Sequence, residues 1–147
     1  MDNRKIRGAA FRRPALPMIA RILRVGLVYW FPVFAYCVFI FVQSGGASPL
    51  RMHLFPHQDK VAHFLGYGFL GALFVRAFWG TRPETDWRML WLLGAACAGL
   101  YGLTDEFHQS FVSTRSADPA DFVADIVGGA TGAWFFAWGR CRLKIPD

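Results

Sequence analysis

Four long apolar runs, separated by short polar segments, limit what this chain can fold into. Residues 25–42 carry no charge, and neither do residues 89–103. Residues 60–79 hold Lys60 at one end and Arg76 near the other, and residues 122–138 are interrupted only by Asp125. A hydrocarbon core of roughly 30 Å takes about 20 helical residues. With 54% apolar and 18% charged residues over 147 positions, a soluble domain would struggle to hide its apolar surface. The expected fold is therefore all-α: an integral membrane bundle of four transmembrane helices, 25–139, between a basic tail (1–24) and a basic C-terminus (140–147).

The basic residues set the orientation. The tail holds Arg4, Lys5, Arg7, Arg12, Arg13, Arg21 and Arg24, interrupted by Pro14 and Pro17. Arg76, Arg82 and Arg88 surround the second connection, and Arg140, Arg142 and Lys144 close the chain. With both termini cytoplasmic, thirteen basic residues lie inside and three (Arg51, Lys60, Arg115) outside. This predicts a multi-pass protein of the cell inner (cytoplasmic) membrane with the lipid bilayer as its first partner. Basic clusters that flank apolar runs argue against nucleic acid. Tyr29 and Trp30 read as interface anchors, and Pro32 predicts a kink in the first helix. Cys37, Cys97 and Cys141 have no ligand spacing and read as small apolar packers.

That orientation brings ionisable residues from three segments to the outer face. Lys60, His63 and Tyr67 fall on one face at the start of the second helix. Asp105, Glu106 and Gln109 end the third, with Asp105 and Gln109 one turn apart. Arg115 is in the loop that follows. Asp118-Pro119-Ala120-Asp121 reads as a helix start, and Asp121, Asp125, Gly128 and Gly132 form one stripe along the fourth helix. Ala95/Gly99 and Ala98/Gly102 have the small-xxx-small spacing of close helix contacts. Charge at the rim of a bilayer is costly, which makes this cluster the candidate functional site. Plainer readings stand beside it: Lys60 snorkelling with Tyr67 as an anchor, and Asp105 and Glu106 as an exposed helix end. Against the second, carboxylates at a helix C-terminus meet the negative end of its dipole, so a cation should compensate. No HExxH, DxD or helical His pair is present, so no metal or other cofactor is expected. No GxSxG elbow suggests a serine hydrolase.

Taken together, Asp59-Lys60-x2-His63-x3-Tyr67, Asp105-Glu106-x-His108-Gln109-x-Phe111-Val112-x2-Arg115 and Asp121-x3-Asp125-x2-Gly128-x3-Gly132 resemble the VanZ-like family, in the family's order. One departure is Asp125, where the family often has Asn. The resemblance implies a small multispan membrane protein associated with glycopeptide (teicoplanin) resistance, with Lys60, His63, Tyr67, Glu106, Gln109, Arg115, Asp121 and Asp125 as the matching polar positions. It assigns them no chemistry. Three functions stay open. The cluster binds a cell-wall precursor, lipid headgroup or glycopeptide, with Lys60 and Arg115 meeting anionic groups and the carboxylates meeting amines or a cation. Alternatively, it is an intramembrane enzyme on a lipid-linked substrate, with His63 or Glu106 as the acid/base. In the third, its ion pairs only fix helix register.

Overall fold

The computed structural model describes residues 17–46, 56–113 and 118–143. They form four helices and no strand: α1 (Met18–Gly45), α2 (Gln58–Thr81), α3 (Trp87–Gln109) and α4 (Pro119–Leu143). Two of them, α1 and α2, are long and apolar enough to cross a membrane by length and composition.

Helix α1 begins seven residues before the uncharged run, with Met18–Arg24 already helical behind Pro17. Pro32 acts through the turn that precedes it. Residues Val25–Trp30 are wound as a π-helix, and the Phe31 N–H reaches back to the Gly26 carbonyl. Proline has no N–H to offer the carbonyl four residues back. That carbonyl, on Val28, instead accepts a hydrogen bond from Arg76 Nη1 at 2.7 Å. Arg76 also lies 4.9 Å from the centre of the Tyr29 ring, so it ties α1 to α2 instead of only reaching for the interface.

The other helix ends follow their local chemistry. The residue before α2, His57, has φ 61°, in the left-handed region. Thr81 ends α2, donating to the Ala77 carbonyl and accepting from Trp30 Nε1 at 2.9 Å. Asp86 caps α3 by accepting from the Arg88 amide. Asp118 caps α4 through Ala120 N–H, with Pro119 in the first turn where its missing N–H costs nothing.

Helices α2 and α4 form the most intimate pair, with glycine facing glycine. A Cβ on Gly132 would run into the Gly68 carbonyl, one on Gly128 into the Phe64 carbonyl, and one on Gly71 into the Gly129 carbonyl. Helix α3 lies against both, with Ala98 on Gly129 and Gly94 beside Val75. Tyr67, Leu70, Ala77, Ala98 and Val33 make one buried apolar cluster, and Val75, Leu90, Ala133 and Ala137 a second. The outside is apolar too: Leu65, Phe69, Leu100, Val123 and Phe135 are between 54% and 65% exposed. The buried residues nevertheless include Asp105, Glu106, Gln109, Asp121 and Asp125.

Candidate functional site

The N-terminal turns of α2 and α4 and the C-terminal turn of α3 meet at one end of the bundle, where the polar residues collect. The register of α2 and α4 is fixed by their glycines, and the residues above them pair in the same register. Lys60 Nζ donates to Asp118 Oδ2 at 2.7 Å and to Asp121 Oδ1 at 2.8 Å, with Asp59 at 3.4 Å. One turn deeper, His63 Nδ1 is 2.8 Å from Asp125 Oδ1, while its Nε2 is 4.0 Å from Asp121 Oδ2. Next on that face, Tyr67 lies parallel to the His63 ring, with its hydroxyl buried and without a hydrogen-bond partner.

Helix α3 adds carboxylates from the other side. Gln109 Nε2 donates to Asp105 Oδ2 at 3.1 Å. Glu106 Oε2 accepts the Asp118 N–H at 3.0 Å, which draws the start of α4 onto the end of α3. Asp105 and Glu106 are only 4% and 8% exposed, so the solvated-helix-end reading of this pair is wrong. The reason is steric: Gly102, one turn earlier, has no side chain to hold α4 away. A Cβ there would stand 3.0 Å from Asp125 Cβ and 3.3 Å from the Tyr67 ring.

Burial and charge set the chemistry available. Six carboxylates (Asp59, Asp105, Glu106, Asp118, Asp121, Asp125) gather around Lys60 and His63 among the described residues. The positive dipole ends of α2 and α4 favour Asp59, Asp118 and Asp121, and the negative end of α3 opposes Asp105 and Glu106. The Lys60 hydrogen bond holds the Asp118 carboxyl below the usual carboxylate range. Lys60, expected to meet the anionic groups of a ligand, is here paired with carboxylates of the chain itself. One donor atom from each of His63, Glu106 and Asp125 lies within 4.8 Å of the other two, so these three could hold a cation.

The structure thus brings together Lys60, His63, Tyr67, Asp105, Glu106, Gln109, Asp121 and Asp125. Arg115 lies outside the described residues, as do Arg51 and His53. His108 points elsewhere, stacked on Phe41 and 3.3 Å from Ser44 Oγ. Sequence reading gave Asp118 only a capping role. Its position three residues before Asp121 already placed it within reach of any cation serving that residue.

Among the described residues the chain is a bundle of helices with an apolar exterior and a largely buried, acid-rich cluster at one end, and these features define the class of protein. The chain belongs to the VanZ/LLP1 family, whose model matches residues 27–140. Comparison with curated proteins gave no match, and comparison with solved structures gave none either.

Proposed function

We propose that this is a four-span protein of the inner (cytoplasmic) membrane, with both termini cytoplasmic and the acidic cluster at the outer face, where it binds the cationic group of an envelope ligand. The observation that carries this reading is the excess of carboxylates around one lysine and one histidine, most of them buried. Such a deficit favours an ammonium or a metal ion over a phosphate. An ammonium on a cell-wall precursor or a lipid headgroup has the right chemistry. That ligand links the chain to glycopeptide (teicoplanin) resistance or to envelope homeostasis.

The apolar exterior supports the bilayer. The arginines support the orientation: Arg76, Arg88, Arg140 and Arg142 each lie over an aromatic ring away from the acidic end, as interface residues on a cytoplasmic face do. A second reading, an enzyme on a lipid-linked substrate, draws on the 2.8 Å contact between His63 and Asp125. A carboxylate that orients an imidazole and leaves its other nitrogen open is a general-base arrangement.

Glu106→Gln and Asp121→Asn, compared at equal membrane abundance, test the two. Binding gives a graded loss of teicoplanin tolerance. Catalysis gives near-complete loss with accumulation of a lipid-linked species. Wild-type tolerance in both variants contradicts either reading. A topology reporter fused after Ser113 should report the outer side, and a cytosolic signal would reject the outer-face placement.

A further inference from the structure

Three side chains in the cluster each use one polar atom on a neighbour and leave the other open. His63 bonds through Nδ1 and leaves Nε2 beyond hydrogen-bond reach of Asp121. Glu106 accepts the Asp118 amide at Oε2, and its buried Oε1 has no partner. Asp125 holds His63 through Oδ1, and its buried Oδ2 has none. Asp125 is 0% exposed and Glu106 8%. An unsatisfied buried acceptor is costly, and more so when charged. Two of them converge here from adjacent helices, beside the His63 ring. We infer that His63, Glu106 and Asp125 hold a divalent cation of borderline hardness, such as Zn2+ or Mn2+. This rests on the reading of the cluster as a cation site and names the cation.

The donor set fits. Imidazole suits the late first-row ions, carboxylates suit harder ones, and a mixed set falls between them. Two carboxylates and a neutral imidazole balance a double positive charge. Bonds near 2.1 Å hold tetrahedral donors about 3.4 Å apart, so the three donor atoms, now within 4.8 Å, must close by up to roughly 1.4 Å. That is within the swing of a Glu and a His side chain. On binding, His63 and Asp125 exchange their mutual contact for the ion, while the backbone amide on Glu106 Oε2 keeps that carboxylate in place. Lys60 pairs with Asp118 and Asp121 one turn above and does not reach the three donors by any hydrogen bond. Gly102 leaves Asp125 Oδ2 its room, since a Cβ there would stand 3.1 Å from that atom.

The test uses the full chain in detergent micelles, stripped with a chelator and titrated with Zn2+. Metal per chain is read by mass spectrometry after desalting, and unfolding by tryptophan fluorescence. The wild type should retain one ion per chain and unfold at a higher temperature when loaded. Glu106→Gln and Asp125→Asn should each weaken binding by about tenfold or more. Their metal-free unfolding temperatures should not fall, because each substitution removes a buried charge that lacks a full set of partners. His57→Asn, outside the cluster, should bind like the wild type. Failure of the wild type to retain an ion, or wild-type retention by both cluster variants, overturns the inference. Should the chain hold no ion while Glu106→Gln still lowers teicoplanin tolerance, the cation falls and the envelope-ligand reading stands.

Discussion

Gly132→Ala should separate α2 from α4 and, through them, open the polar cluster. Alanine is the better helix former by about 1 kcal/mol, so on local grounds the substitution stabilises α4. Against that, the new Cβ would collide with the Gly68 carbonyl oxygen, and it would stand 2.5 Å from the carbonyl carbon and 2.8 Å from Cα. Carbon atoms pack comfortably at about 3.5–4.0 Å, so the backbones must part by roughly 1 Å. The obstacle is backbone, which has no rotamer to move. Overpacking of this kind costs about 1–3 kcal/mol, which exceeds the propensity gain or at best cancels it. The Asp125–His63 contact lies two turns along the same helix pair, about 10 Å away. Stretched from 2.8 Å by a similar amount, it ceases to be a hydrogen bond. Gly139→Ala is the control: it makes the same substitution on the same helix, at a site where a Cβ meets nothing within 4 Å. Unfolding in micelles, followed by tryptophan fluorescence, should show Gly139→Ala at or above wild-type stability and Gly132→Ala below it. Equal stability of the two variants would refute the close glycine contact as the fastener of this site.

Three further outcomes are expected. Lys60→Met leaves Asp118 and Asp121 facing each other and should destabilise by about 2 kcal/mol, a figure held down because the lysine side chain is 28% exposed; adding Asp121→Asn should recover part of the loss, measured as a double-mutant cycle. Arg76→Ala should cost about 1 kcal/mol by removing the hydrogen bond to the Val28 carbonyl, and less in a Pro32→Ala background where a backbone N–H returns, again read as a cycle in unfolding free energy. Because Asp118 has a folded-state pKa below its unfolded value, its contribution is complete above an unfolded value of about 3.9 and is lost as pH falls through the depressed one; protection of the Asp121 amide, which donates to the Asp118 carbonyl, taken as its exchange rate relative to the intrinsic rate at each pH, should hold steady from neutral pH down to that point and fall only below it.

Much of this architecture was legible in the sequence, for identifiable reasons. Helical periodicity placed Lys60, His63 and Tyr67 on one face, and the 4-3-4 spacing placed Asp121 and Asp125 above Gly128 and Gly132. Both patterns depend only on 3.6 residues per turn and survive any detail of packing. Partner choice was not legible. Lys60 could equally have reached solvent, lipid or a ligand, and only the approach of α4 gives it to Asp118 and Asp121. The burial of Asp105 and Glu106 depends on Gly102, and a glycine one turn back says nothing of what will fill the space it leaves. The sequence marked Pro32 as a site of distortion but not where the freed carbonyl would go. That required Arg76, which lies 48 residues from Val28. The same holds for Gly129: the small-residue spacing marks Ala98 for a close helix contact but not which helix it meets.

The cluster is held together by forces that are indifferent to its charge. Close glycine contacts between α2 and α4 bring two positive dipole ends side by side, a natural place for Asp59, Asp118 and Asp121, and Lys60 offsets part of the remaining charge. Helix α3 then arrives with the opposite polarity and two more carboxylates, while Asp125 sits below with only an imidazole. The upper layer thus has a lysine and two dipole ends to set against its charge, and the lower layer has neither. A fold that needed ion pairs merely to fix its register would have no reason to bury Glu106 Oε1 and Asp125 Oδ2 without partners, since glutamine and asparagine fill the same volume and bring their own donors. The imbalance lies where the helices are most tightly fastened, and packing alone does not call for it. What fits that position is a positive charge that the chain does not itself supply.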